Sequence, residues 1–300
     1  MPGTRALTVA CGAMLALPLF AQAPSSAPSE HADHAMLTSA GQVHVALADT
    51  MLPAGVTDAA ARLAASPRHR EWVMISAGGT DSVGAWIIYP ERRTKAPVIV
   101  VVHEIFGLST WVKALGDQLA AQGFIAIVPD LLTGKIVPGG PDSISVDSAI
   151  AMVRTLKPED VQRRLLATAN YGMKLPSALP RYGIVGFCWG GSTSFAHAAI
   201  SPTVLASVVF YGAAPDSMLI GKVHAPVLGL YGGDDARVDA TIAPADSVLR
   251  GLKRTYEHYL FDGAGHGFAR DQAGRNGANL AAIQQAWPKA IAWFRKYLGQ

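Results

Sequence analysis

The chain reads as an alternation of short apolar runs and longer mixed segments. Residues 97–102 form a continuous β-branched run, Pro97-Val98-Ile99-Val100-Val101-Val102. A run with no polar position suits a parallel strand buried on both faces. Further strands are predicted at 124–128, 182–187, 205–211, 226–231 and 256–261. Helical segments fall between them, at about 110–122, 145–156, 158–173, 192–200 and 246–252. A last helix covers 279–298, bent or restarted at Pro288. Upstream, 71–76 and 82–89 predict a hairpin across the glycine-rich turn Ala77-Gly78-Gly79-Thr80-Asp81. A short helix is expected at 57–66 with Thr57 as its N-cap. Strand–helix alternation implies an α/β fold, a mostly parallel central sheet with helices on both faces. No internal repeat and no second domain boundary follows Glu71.

One run ends differently from the rest. Tyr182-Gly183-Ile184-Val185-Gly186-Phe187-Cys188-Trp189-Gly190-Gly191 passes from an apolar strand through Gly-x-Cys-x-Gly into a helical segment. This is the nucleophile-elbow pattern of α/β-hydrolases with cysteine in the serine position. Glycines two residues before and after are needed because larger side chains would meet neighbouring backbone. At a helix N-terminus, unpaired N–H groups and the helix dipole favour a thiolate on Cys188. The N–H of Trp189 would face an oxyanion formed on an attacked carbonyl. The competing reading is a buried structural cysteine; the flanking glycines favour the nucleophile.

Composition narrows the class. Half of the 300 residues are hydrophobic and 16% are charged, enough for a sizeable core. A formal charge of +3 without a basic run gives no electrostatic footprint for nucleic acid. Arg5 precedes an apolar run over 6–21, shorter than a membrane span and containing Pro18. Residues 1–23 therefore read as a cleaved secretory signal peptide, leaving no stable membrane anchor and a periplasmic or secreted protein. Residues 24–70 read as a linker and N-terminal extension, and 71–300 as the catalytic domain. His31 and His34 lie in that linker, a poor setting for a metal site. With Cys11 removed, Cys188 is the only cysteine, so no intrachain disulfide is expected.

Polar residues gather where strands of such a sheet end. His103-Glu104 follows the 97–102 run, and Cys188 the elbow strand. Asp234-Asp235 follows Gly232-Gly233, and His266 lies in Gly263-Ala264-Gly265-His266-Gly267-Phe268. Nucleophile, acid, histidine is the α/β-hydrolase order. The remaining histidines lack such company. His103 is expected to be structural, His197 packed or at the surface, and His258 exposed on its strand. His44, His69 and His224 have no supporting constellation, and nothing in the folded part has zinc-ligand spacing.

These stretches, with Ile105-Phe106-Gly107-Leu108, Pro129-Asp130-Leu131, Ala236-Arg237-Val238 and Ala269-Arg270, resemble the dienelactone hydrolase family from about Trp72 to the C-terminus. The resemblance implies an α/β-hydrolase fold, a Cys–His–Asp triad, cyclic ester hydrolysis and no cofactor. It implies Cys188 as nucleophile, His266 as general base and acid, and Asp235 rather than Asp234 as the triad acid. Glu104 corresponds to the family glutamate that interacts with the resting thiol and moves away when substrate binds; its charge would disfavour a free thiolate. The N–H groups of Ile105 and Trp189 would form the oxyanion hole. Arg270 matches an arginine that binds a substrate carboxylate. A second family arginine, after the Asp130 loop, has no counterpart: only Lys135 is basic between Asp130 and Arg154. The expected function is hydrolysis of a small ester or lactone by a monomer, through an acyl-thioenzyme. The alternatives are a broader carboxylesterase or thioesterase, or a non-catalytic binding protein on a hydrolase scaffold.

Overall fold

The computed structural model describes residues 51–135 and 145–299. The predicted signal peptide, most of the predicted linker, His31, His34, His44 and part of the loop after Leu131 lie outside the described residues. The unit containing the described residues begins at Thr50.

Its centre is the β-branched run. Strand β3 (Ala96–Val102) is buried along its whole length. It pairs in parallel with β4 (Ile125–Asp130) on one side and β5 (Ala178–Phe187) on the other. Its side chains alternate between two cores, as strand geometry requires. Ile99 and Val101 join one core, which α2 (Thr110–Ala121) and α9 (Ala278–Leu298) cover. Val98, Val100 and Val102 join the other. That face carries α4 (Pro158–Met173), α5 (Trp189–Ile200) and α8 (Ile242–Gly251). Truncating Ile99 to alanine would remove contacts that no water can replace, at a cost of about 2–5 kcal/mol.

The sheet continues through β6 (Ser207–Phe210), β7 (Val227–Gly232) and β8 (Tyr256–Phe261), all parallel. The predicted hairpin is β1 (Arg70–Gly78) and β2 (Asp81–Ile88), and β2 runs antiparallel to β4. Gly78 and Gly79 both take positive φ at the hairpin turn, as glycine does without steric cost. The eight strands lie in the order β1-β2-β4-β3-β5-β6-β7-β8. The chain leaves β3 towards β4 and later returns to β5 on the opposite side. The crevice between the carboxyl ends of β3 and β5 is thus a topological switch point, where open α/β sheets bind ligands.

Several elements differ from expectation. Helix α1 (Ala59–Ala65) starts after Asp58, and Thr57 does not cap it. The elbow helix begins at Trp189, directly after Cys188. Helix α8 begins at Ile242, four residues early, and α9 passes through Pro288 without a restart. Two one-turn helices, α6 (Ser217–Ile220) and α7 (Ala236–Asp239), are too short for a periodic pattern to show. The remaining helix, α3, spans Val146–Arg154. Residues 51–56 belong to the folded unit: Leu52 and Ala54 are buried, and Ala54 O accepts from Trp111 Nε1 at 3.0 Å. Among the described residues no helix is long and apolar enough to cross a membrane.

Candidate active site

The elbow is built as its glycines require. A Cβ on Gly186 would lie 1.8 Å from the carbonyl oxygen of Gly190, and one on Gly190 would lie 2.4 Å from that of His103. Cys188 sits between them at φ 57, ψ −118, a conformation that L-residues rarely adopt. Its carbonyl accepts from Ser192 N–H at 3.1 Å, which starts α5 beneath it. The turn lifts the thiol above the carboxyl edge of the sheet.

Three strand ends then converge. β7 delivers Asp235, β8 leads to His266, and β5 ends at Cys188. Asp235 is buried, and its Oδ2 accepts from His266 Nδ1–H at 2.5 Å. His266 Nε2 lies 3.0 Å from Cys188 Sγ. The neighbouring Asp234 is half exposed and pairs with Arg275 at 3.0 Å. Of the two candidate acids, only Asp235 touches the histidine.

The thiol binds its proton tightly. Burial first, then the charge of Glu104, push it up to about 11. The N–H groups of Trp189 and Ile105 and the charge of Arg237 pull the other way without prevailing. The helix N-terminus therefore does not make a free thiolate here, a correction to the simple dipole argument. Sγ–H instead faces the Nε2 lone pair of His266. The two N–H groups expected to hold an oxyanion, those of Ile105 and Trp189, both lie near enough to the sulfur to favour its charged form.

Glu104 is buried, with Oε2 3.1 Å from Arg270 Nε. Burial lifts its carboxyl to about 7, against the pull of Arg270 and Tyr211. The thiol's hydrogen-bonding partner is His266, and Glu104 acts on it through charge. Arg270 also lies over the Phe106 ring at 4.8 Å. Its loop is held from an unexpected quarter. Val56 N–H donates to Arg270 O at 2.8 Å, and Gln272 Nε2 donates to Pro53 O at 3.0 Å. The N-terminal extension thus braces this edge of the site, which its loop-like composition did not reveal.

The other histidines have structural surroundings. His103 is buried, stacks on Trp189 and donates from Nδ1 to Glu104 O at 2.7 Å. Burial lowers its pKa to about 4, so it stays neutral while orienting the Glu104–Ile105 backbone. His197 is fully buried between Gln162 and Tyr182, and His258 is half-buried beside Tyr256.

A cavity of about 410 Å³ opens over the thiol. Glu104, Ile105, Cys188, Trp189, His266 and Arg270 line it, with Phe106, Ser192, Tyr211, Ala213, Arg237 and Gly267. Tyr211 is fully buried at φ 41, and its ring meets that of His266 edge-on at 5.2 Å. Its place at the end of β6 was the signal that could have found it. Among the described residues no three of His, Cys, Asp and Glu are grouped to hold a metal ion.

A doubly covered, mostly parallel sheet with an elbow at its switch point defines an α/β-hydrolase. The profile of the Dienelactone hydrolase family matches residues 83–298. The chain belongs to the dienelactone hydrolase family, hydrolases of carboxylic ester and lactone bonds. A Salmonella typhimurium protein named "Putative carboxymethylenebutenolidase" is 30% identical over 270 residues, covering 84% of this chain and 98% of the relative. A protein of the same name from Methylorubrum extorquens is 31% identical over 229 residues, covering 72% and 77%. A crystal structure from Klebsiella pneumoniae, called "Putative Dienelactone Hydrolase", superposes with a TM-score of 0.65 at 26% identity, over 76% of this chain and all of that one.

Proposed function

We propose that the protein hydrolyses a small ester or lactone through Cys188 and an acyl-thioenzyme. The observation that carries this reading is the contact series Asp235–His266–Cys188, at 2.5 and 3.0 Å, opening into a cavity. As the sulfur attacks the substrate carbonyl, its proton passes to His266 Nε2. Asp235 keeps the proton on Nδ1 and stabilises the imidazolium that forms. Negative charge collects on the carbonyl oxygen, where the N–H groups of Ile105 and Trp189 receive it. Collapse breaks the C–O bond, and His266 returns the proton to the departing alkoxide. A water then gives its proton to Nε2 and attacks the thioester. The acid leaves, and the sulfur recovers its proton. Until substrate arrives, Glu104 and burial keep the sulfur as a thiol, which is less open to oxidation than a thiolate. Arg270 binds a substrate carboxylate through its terminal nitrogens, its Nε being turned to Glu104. The test is turnover of a chromogenic ester by wild type and Cys188→Ala. Equal turnover would place the chemistry elsewhere.

A further inference from the structure

One buried histidine behind the site makes contacts that packing alone does not require. His103 directly follows β3, and its side chain is fully buried. Its Nδ1–H donates to the carbonyl oxygen of Glu104 at 2.7 Å, the roles being fixed by a carbonyl that can only accept. Burial keeps the ring neutral, with its pKa lowered to about 4, so Nε2 carries a lone pair. That atom is buried and has no hydrogen-bond partner among the described residues. An unpartnered polar atom in the interior is destabilising, and a phenylalanine would fill the same place without one. A phenylalanine would lack only the donor at Nδ1.

That donor acts on a particular peptide. Glu104 O and Ile105 N–H belong to one planar trans unit and so point in opposite directions. A hydrogen bond that holds the oxygen on one side therefore holds the N–H on the other, towards the sulfur. Gly107 N–H gives the same oxygen a second, longer bond at 3.2 Å. The His103 ring also stacks on that of Trp189, with centroids 5.6 Å apart and planes 23° from parallel. Trp189 carries the other N–H near the sulfur. The main chains are locked together as well, since a Cβ on Gly190 would lie 2.4 Å from His103 O. Val102 pairs with Gly186 across β3 and β5, and Ile105 and Trp189 each lie three residues beyond that pair. His103 thus touches both of the turns that present an N–H to the sulfur.

We propose that His103 is a positioning residue for the oxyanion hole, fixing the Glu104–Ile105 peptide and the Trp189 turn so that their N–H groups meet the charge formed on the substrate carbonyl. The proposal rests on the hydrolase reading above. In the step concerned, a bond forms between sulfur and the carbonyl carbon, the thiol proton passes to His266 Nε2, and the π electrons of the carbonyl collect on its oxygen. That charge exists only once attack is under way, so a misplaced donor lowers kcat and leaves substrate binding nearly unchanged. A peptide free to turn would present the negative end of the Glu104 carbonyl in place of the N–H, and would repel the oxyanion.

The experiment separates the donor from the packing. His103→Phe keeps a ring against Trp189 and removes the Nδ1–H; His103→Asn removes the ring and keeps an N–H donor on the same carbon position. Hydrolysis of p-nitrophenyl pentanoate gives kcat and KM. Trifluoromethyl butyl ketone, which adds to the thiol and places its ionised oxygen in the same hole, reads the transition-state contacts without turnover. His103→Phe should lower kcat about tenfold to a hundredfold with KM within about threefold, and weaken the ketone by a similar factor, since removing an oxyanion donor outright costs about 10²–10³-fold. His103→Asn should recover most of both, even at a lower melting temperature. If His103→Phe does not fold, His103→Gln replaces it, its amide standing one methylene too far out. A merely structural histidine would lower the melting temperature while kcat and ketone affinity stayed within about threefold of wild type, and that result overturns the proposal. So does a loss in His103→Asn as large as that in His103→Phe. A wild type that adds the ketone no more tightly than His103→Phe does ends the proposal and leaves the hydrolase reading standing. A wild type that neither hydrolyses the ester nor adds the ketone ends both.

Discussion

Replacing Asp235 with asparagine changes one charge and almost no volume. In the site, the carboxylate accepts from His266 Nδ1–H at 2.5 Å. That bond leaves Nε2 as a lone pair facing Sγ at 3.0 Å. An asparagine can turn its NH₂ towards Nδ1, which moves the ring proton to Nε2, where it blocks proton transfer from the thiol. It also removes the anion that stabilises the imidazolium. Cys188 cannot dispense with its base, since burial and Glu104 hold its pKa at about 11. The matching change in a serine triad lowers kcat about 10⁴-fold, or about 5 kcal/mol of transition-state stabilisation. We expect a loss of about 10³–10⁴-fold here. Asp234→Asn is the control. Its partner is Arg275 in a half-exposed pair, which contributes about 0–1 kcal/mol to stability. It should leave kcat within about fivefold of wild type. Steady-state hydrolysis of p-nitrophenyl pentanoate, with melting temperatures to confirm folding, measures both. A loss at Asp234→Asn equal to or larger than that at Asp235→Asn would refute the reasoning.

Glu104 should leave two further signatures. Its carboxyl goes from an ordinary 4.5 to about 7 on folding, so the protonated form favours the folded state. That contribution is complete below 4.5 and lost as pH rises through 7, about 3 kcal/mol in all. Glu104→Gln should flatten the pH dependence of urea unfolding across this window; an unchanged slope would mean that the carboxyl is not so perturbed. The same variant should lower the thiol pKa of Cys188, read from the ultraviolet absorbance of the thiolate, because a negative neighbour has gone; a rise would contradict the assigned cause. Arg270→Met should weaken binding of carboxylated esters about tenfold or more, on top of any loss shared with neutral esters. An equal loss on both classes would make Arg270 a support for Glu104 and not a substrate ligand.

The central sheet was legible because its strands are buried on both faces. Residues 97–102 have no polar position, and such a run has few other uses. The elbow was legible for a steric reason: Gly186 and Gly190 stand where no side chain fits. The order of Cys188, Asp235 and His266 could be read because each follows a strand end. Short helices escaped, since α7 offers four residues and no period. Pro288 misled in a different way. A proline favours a break locally, but α9 is anchored on both sides of it by Ala286, Trp287, Ala290 and Ile291 in the core. Charge partners were the least legible part. That Glu104 meets Arg270, Asp234 meets Arg275, and Arg237 meets neither depends on contacts between loops far apart in sequence. The brace from residues 53–56 onto the Arg270 loop depends on backbone groups that every residue carries, so composition gave no hint of it.

The central claim is a covalent one: the substrate's acyl group passes onto the sulfur of Cys188. Mixing the protein with p-nitrophenyl pentanoate, quenching in acid and weighing the peptides locates that group. The account predicts a pentanoyl mass on the peptide containing Cys188, released by hydroxylamine and absent from Cys188→Ala, which should also lose turnover. Hydrolysis by Cys188→Ala at the wild-type rate, or a pentanoyl group carried on another residue during turnover, would contradict it.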